Sequence, residues 1–143
     1  MSAELYTLVV SPHGDDGWSG QLPEPWPDRG DGPLATLATA RDRIAARRAL
    51  GRLHGPARVL MRGGRYELAE PLHFGPEHGH VTYQSYPGER VQLSGGRRIG
   101  GWRVAHHNGR DCWVAQLPEV AAGDWWFTQL WVNGVRRLRP RRP

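Results

Sequence analysis

Two adjacent carboxylates, Asp15 and Asp16, lie in the turn-rich run 11–17 near the start of this sequence. A pair of carboxylates about 5–10 Å apart can hydrolyse a glycosidic bond, one as the acid and the other as base or nucleophile. Neighbouring residues of a turn usually diverge, however, and Asp in a turn accepts hydrogen bonds from local backbone N–H groups. We therefore interpret Asp15 and Asp16 as turn residues, with a Ca²⁺ contact as the alternative. Asp28 and Asp31 receive the same interpretation.

Further acidic side chains are scattered over turns and strand edges, where the sequence pairs none of them: Glu67, Glu70, Glu77, Glu89 and Glu119. A polysaccharide lyase would instead need a base to abstract a proton, often with Ca²⁺ offsetting the substrate charge. All 19 basic residues are Arg, so no single one stands out. We assign no catalytic residue, no cofactor site and no metal site to this chain.

Histidine pairs at 78/80 and 106/107 could suggest a metal site, but no Cys or acid stands at a strong ligand spacing from them. We interpret them as surface loop residues. Cys112 is the single cysteine, so it cannot form an intramolecular disulfide. Its position in a predicted strand favours a small buried apolar side chain.

Exposed tryptophans are the better candidates for ligand contact. The faces of Trp125 and Trp126, and of Trp18 or Trp26, could stack on the C–H patches of a sugar ring. The competing interpretation is that strand alternation buries at least one of Trp125 and Trp126, and we favour core packing. Sugar stacking by Trp125 and Trp126 stays open as the alternative.

The net charge of +5 comes from the end of the chain. Residues 136–143 hold five Arg and no acid, whereas residues 1–135 carry 14 basic and 14 acidic side chains. A basic face on the body is therefore excluded, and we do not expect nucleic-acid binding; a phosphate-binding tail is the weakest interpretation. No run of apolar residues is long enough to cross a membrane.

Hydrophobic periodicity predicts short strands and one helix. Residues 5–10 form the first strand, and a Gly- and Pro-rich loop follows. Thr36 is a candidate helix N-cap, although Thr39 stands where a capping box needs Glu or Gln. Leu37, Ala40 and Ile44 share one face of a helix over about 37–50 that should shield an end or flank of the fold.

The segment after Pro56 changes to strands of three to five residues at 59–61, 66–68, 72–74, 81–85 and 91–94. Val59 can be laid over Val81, an offset of 22 residues that is typical of a solenoid coil. From Trp102 onward, alternating apolar and polar residues predict a small antiparallel section. Its strongest hairpin signal is Asn133-Gly134.

Six short motifs in a fixed order carry a family resemblance. They are 10–16 (VSPHGDD), 34–42 (LATLATARD), 62–66 (RGGRY), 86–89 (YPGE), 93–96 (LSGG) with Gly101-Trp102, and 129–134 (QLWVNG) with Arg136 and Arg137. This succession resembles the N-terminal region of bacterial right-handed parallel β-helix proteins of the pectate-lyase-like superfamily, above all the glycoside hydrolases among them. The resemblance spans residues 6–140.

The resemblance implies a mainly β fold: a cap at 1–56, the first coils of a right-handed parallel β-helix at 57–101, an antiparallel section at 102–138 and an Arg/Pro tail at 139–143. It implies a polysaccharide or oligosaccharide substrate for the parent protein, a hydrolase or lyase with its catalytic groups on later coils. These residues alone are then expected to be inactive. A Ca²⁺ cofactor stays open for the parent protein. The alternative is a non-catalytic glycan-binding or capping module. Self-association through an open solenoid end is a further expectation.

The sequence leaves localisation open. Nothing at its start resembles a signal peptide, so we expect a cytoplasmic chain as written, with a secreted parent protein as the alternative.

Overall fold

The computed structural model describes residues 5–138, which are mainly β with two short α-helices and small sheets. The chain divides after Arg97 into two compact units, called here unit 1 and unit 2. Within the described residues, no helix has the length and apolar character needed to span a membrane.

Unit 1 contains a parallel sheet of three strands: β1 (Tyr6–Val10), β2 (Ala57–Met61) and a strand at Val81–Ser85 that is the fourth in chain order, β4. Side chains alternate along β2, so that Ala57, Val59 and Met61 are buried and the residues between them are half-buried. Parallel pairing stacks equivalent positions directly over one another. The register joins Tyr6 to Ala57 and Ala57 to Val81.

A second parallel sheet pairs β3 (Gly64–Glu67) with β5 (Val91–Ser94). Strands β2 and β4 of the first sheet are therefore 24 residues apart, from Ala57 to Val81, and β3 and β5 of the second sheet are 27 apart, from Gly64 to Val91. The predicted offset of 22 is wrong, because Val59 pairs with Tyr83 and not with Val81. A shift of two residues keeps every side chain on its own face, so hydrophobic alternation could not distinguish the two registers.

Helix α1 (Leu37–Ala49) covers the core of unit 1 with the predicted face, since Leu37, Ala40 and Ile44 are all buried. Thr36 is the N-cap, and its side chain accepts the backbone N–H of Thr39. The helix ends before Gly51, whose φ of 66° is left-handed. Leu8, Val10, Leu34 and Val59 complete the buried centre beneath this helix.

Loop backbone closes the outer edge of β1. Val9 N–H donates to Gly20 O, and its carbonyl accepts from Leu34 N–H at 2.9 Å. Ser11 N–H donates to Leu34 O at 2.8 Å. Strands β4 and β5, by contrast, have no further strand on their outer edges among residues 5–138. One end of the stack is thus capped and the other presents unpaired strand edges.

Unit 2 consists of two antiparallel hairpins and a short helix. Strands β6 (Arg103–His107) and β7 (Arg110–Val114) form one hairpin, and β8 (Leu130–Val132) and β9 (Val135–Arg137) form the other. The Asn133-Gly134 turn agrees with the prediction, but the same dipeptide at Asn108-Gly109 makes a turn that the prediction missed. Both Asn residues have φ near 50°, as a type I′ turn requires.

Two further details were not predicted correctly. The expected strand at 72–74 is wrong, because these residues belong to no strand. Pro71 removes a backbone donor there, and side chains hold the segment instead: Leu72 packs against the core and the Phe74 ring meets Tyr83 edge-on at 5.5 Å. Helix α2 (Pro118–Ala122), with proline at its start, was also missed.

Candidate functional site

Asp16 binds the start of α1 and is not free for catalysis. Its Oδ1 accepts the N–H groups of Ala35 and Thr36 at 2.9 Å each, and Oδ2 accepts the Thr36 hydroxyl at 2.8 Å. Burial raises the pKa of Asp16, but the hydrogen bonds from Thr36, Thr39 and Ala35 outweigh it and leave the pKa below its ordinary value. Asp16 thereby supplies the acceptor for the N-cap N–H that a capping-box Glu would otherwise provide.

Asp15 and Asp31 hold loop backbone in a similar way. Asp15 Oδ1 accepts Gly17 N–H at 2.7 Å, a local turn bond of the predicted kind. Asp31 Oδ1 accepts the N–H groups of Ser19 and Gly32 at 2.7 and 2.8 Å. Donation from Ser19 backbone and hydroxyl, then from Gly32, lowers the pKa of Asp31. A glycosidase acid needs the opposite shift, a raised pKa.

Arg62 and Glu89 join the turns that follow β2 and β4. Arg62 Nε lies 2.9 Å from Glu89 Oε1 and its Nη2 lies 2.8 Å from the same oxygen. The guanidinium also reaches Glu24 and stacks 4.8 Å from the Tyr86 ring centroid. Bonding by Arg62 and by Gly63 N–H lowers the pKa of Glu89. Residues of the RGGRY and YPGE motifs therefore hold the turn after β2 against the turn after β4.

Two open grooves flank α1 in unit 1, of about 370 Å³ and 720 Å³. The smaller is lined by Tyr6, Arg43 and Arg47 and by no acid, and the larger has Glu77 as its single acid. Their arginines are already engaged. Arg43 donates to Asp16 O at 2.6 Å, and Arg48 donates to the carbonyls of Gly79, His80 and Gly55. Neither groove offers the paired carboxylates of a hydrolase.

The histidines are dispersed. His78 Nδ1 accepts Gly75 N–H at 2.8 Å in a local turn, and His106 Nδ1 lies 2.9 Å from Asp111 Oδ1 across a hairpin. Across residues 5–138, no group of three or more His, Cys, Asp or Glu side chains is arranged to hold a metal ion. Cys112 is half-buried, with Sγ 3.3 Å from Ala105 O.

The tryptophans proposed for sugar stacking lie in different environments. Trp125 is half-buried, with its ring centroid 5.2 Å from that of Phe127, whereas Trp126 is 74% exposed. Trp18 is half-buried over Gly32, and Trp26 stacks under Arg29 at 4.0 Å. Of these four, Trp126 has the most accessible ring, and its role in stacking stays a prediction.

Hairpin β6–β7 has an exposed face that mixes apolar and polar groups. Trp113 faces Val104 in the cross-strand register, and Asp111 faces His106 two positions away. Because side chains alternate along a strand, these four lie on one face, called here the aromatic face. Trp113 is 69% exposed and Val104 is 57% exposed. The opposite face carries the half-buried Ala105, Cys112 and Val114.

The sequence contains a signal for this face that was not among the predicted hairpin turns. Asn108-Gly109 fixes a two-residue turn, which places Val104 opposite Trp113 and His106 opposite Asp111 without further information. An exposed aromatic ring beside a carboxylate and an imidazole can stack on a ring-shaped ligand and hydrogen-bond its hydroxyls. The arrangement lacks a second carboxylate and therefore suits binding better than hydrolysis.

Comparison with known proteins gives one informative similarity. A scan against protein-family models finds no match, and a search of curated proteins finds no relative. A solved structure named "Glycoside hydrolase" is 31% identical to this chain and has a TM-score of 0.66. The match covers 94% of this chain. The chain spans 22% of the length of that protein. Residues 5–138 therefore have a glycoside hydrolase-like fold.

Proposed function

We propose that this chain forms the N-terminal cap and first coils of a right-handed parallel β-helix in a carbohydrate-active protein, with the catalytic residues on later coils. The single observation that carries the proposal is the pairing of successive strands in two parallel sheets. β2 continues into β3 after two residues, and β4 continues into β5 in the same order, so each pair contributes one strand to each sheet. The step from the pair β2–β3 to the pair β4–β5 is 24 residues in one sheet and 27 in the other, which is typical of a solenoid coil.

The asymmetry of the two ends supports an N-terminal position. At β1 the outer edge is closed by loop backbone and α1 covers the core, as a solenoid cap must do. At β4 and β5 the unpaired edges, with half-buried Val81 and Tyr83, are suited to receive another coil. If no coil follows, we expect the same edges to make the chain self-associate.

The pKa shifts of three carboxylates support the proposal that residues 5–138 contain no catalytic acid. Asp16, Asp31 and Glu89 all have lowered pKa values because N–H or guanidinium donors bind them. Such groups are poor proton donors near neutral pH. The similarity to a protein named "Glycoside hydrolase" favours hydrolysis over elimination as the reaction of the whole protein, with a polysaccharide or oligosaccharide as substrate.

The test starts from the gene. The reading frame is sequenced through and beyond the codon for Pro143, and the whole product and the 143-residue chain are expressed in parallel. Both are assayed on polysaccharides and aryl glycosides for new reducing ends, and for the unsaturated uronate that a lyase forms.

We expect further coils, reducing ends from the whole product, and neither product from the 143-residue chain. A frame that closes at Pro143, with a monodisperse and cooperatively melting chain, would contradict the proposal. That outcome would favour the second candidate, a non-catalytic glycan-binding module, for which the exposed rings of Trp113 and Trp126 are the specific observation.

A further inference from the structure

The aromatic face of β6–β7 exposes apolar groups where a strand pair normally presents polar ones to water. Trp113 and Val104 are a directly opposed cross-strand pair, and both are more than half exposed. A ligand that removes these side chains from water would be stabilised, because the hydrophobic effect grows with the apolar area buried. No residue of 98–138 is buried, so no buried core lies behind these two side chains.

A hydrogen-bonding pair continues the same face. Asp111 and His106 are joined at 2.9 Å, yet their side chains are 76% and 68% exposed. Their contact uses His106 Nδ1 and Asp111 Oδ1, so Asp111 Oδ2 and His106 Nε2 lie outside this bond. Residues two apart on a strand are about 7 Å apart, so a ring stacked on Trp113 would bring its edge substituents toward Asp111.

We propose that the aromatic face binds a neutral polysaccharide, with one pyranose stacked on Trp113 and its hydroxyls bonded to Asp111 and His106. The inference rests on the proposed function for the choice of a glycan, and adds to it a subsite and a substrate class. A pyranose has an apolar C–H face and a rim of hydroxyls, which match an aromatic ring beside a carboxylate.

Charge decides between neutral and acidic glycans. The acidic side chain on the aromatic face is Asp111, and a carboxylate repels the like charge of a uronate. The two arginines of the hairpin strands, Arg103 and Arg110, occupy the alternate positions of the strands and so lie on the opposite face. The face should therefore take a neutral glucan, xylan, mannan or galactan and discriminate against polygalacturonate.

The experiment measures binding of the 143-residue chain to soluble neutral polysaccharides and to polygalacturonate, by affinity electrophoresis and titration calorimetry. Three variants are compared: Trp113→Ala, Trp113→Tyr and Trp131→Ala. Trp131 is the matched control because it is also an exposed strand tryptophan of unit 2 and lies on the other hairpin. Circular dichroism verifies that each variant retains the fold.

We expect Trp113→Ala to weaken binding of at least one neutral polysaccharide about tenfold or more, with Trp113→Tyr partly restoring it and Trp131→Ala leaving it unchanged. Asp111→Asn should raise the relative affinity for polygalacturonate. Absence of neutral-glycan binding, or binding indifferent to Trp113→Ala, overturns the inference. So does a change in oligomeric state on Trp113→Ala, since the face would then be a contact between copies.

Hydrolysis of small aryl glycosides by the whole gene product is measured separately. These substrates are too short to require the aromatic face. Activity on them without Trp113-dependent binding refutes the inference and leaves the proposed function intact; binding without activity does the reverse.

Discussion

Replacing Asp16 with Ala should destabilise the chain far more than the same change at its neighbour Asp15. Asp16 accepts three hydrogen bonds that order the start of α1, from the N–H groups of Ala35 and Thr36 and from the Thr36 hydroxyl. A hydrogen bond to a charged acceptor contributes about 1.5–3 kcal/mol net, and loss of a helix cap costs about 1 kcal/mol. In Asp16→Ala, water replaces part of the lost hydrogen bonding because position 16 is half-buried.

We therefore expect Asp16→Ala to lower the free energy of unfolding by about 2–4 kcal/mol, a fall in Tm of about 10 °C or more. Asp15 accepts one bond, from Gly17 N–H, so Asp15→Ala should cost less than about 1 kcal/mol. Urea unfolding followed by tryptophan fluorescence measures both. If Asp16→Ala is already unfolded without urea while Asp15→Ala is folded, the prediction holds.

The effect should depend on pH with a definite sign. The folded-state pKa of Asp16 lies below its ordinary value of 3.8, so its stabilisation is present above that pH and is lost as the pH falls through the lower, folded-state pKa. The gap between wild type and Asp16→Ala should thus be full at pH 7 and shrink below about pH 3.8. Equal stabilities of the two Ala variants at pH 7, or a gap that widens in acid, would refute the assignment of Asp16 as the helix-capping acceptor.

Three other predictions concern unit 1. Ile44→Ala, at a fully buried position of α1, should lower the free energy of unfolding in urea by about 2–5 kcal/mol. Its control, Leu50→Ala, changes a side chain that is 65% exposed and should alter this free energy by less than about 0.5 kcal/mol. Similar losses in the two variants would place Ile44 outside the core. Gly20→Ala should lower the Tm well below that of Gly30→Ala, because both residues have positive φ but a Cβ at Gly20 would lie 2.7 Å from a core Leu side chain and one at Gly30 meets nothing; matching melts would disprove this contact. Burial raises the pKa of Tyr66 to about 12. The absorbance at alkaline pH should therefore contain a tyrosine transition near that value, and Tyr66→Phe should remove it. The stability that Tyr66 contributes should be lost as the pH rises from about 10 toward 12.

Much of the local structure follows from the sequence because it depends on neighbours in the chain. Thr36 with Leu37, Ala40 and Ile44 predicts a helix and its buried face, and the structure places α1 at Leu37–Ala49. Strands β4 and β5 begin and end where alternation and turn residues indicate. The prediction of a mainly β chain is confirmed at that level.

The register and the roles of the acids depend on residues far apart in sequence. Alternation has a period of two, so offsets of 22 and 24 residues bury the same side chains, and the structure selects the second. Asp16 is a turn residue by composition, but its partners Ala35 and Thr36 are about 20 positions away. No local pattern carries that information.

The candidate site divides in the same way. From the sequence, core packing was favoured for Trp125 and Trp126 with sugar stacking as the alternative. Asn108-Gly109 could have placed Trp113 beside Asp111 and His106. Which rings stay accessible is a matter of tertiary packing: Trp125 is half-buried against Phe127 and its neighbour Trp126 is exposed. A sequence determines which face of a strand a side chain occupies, and only the folded chain determines what covers that face.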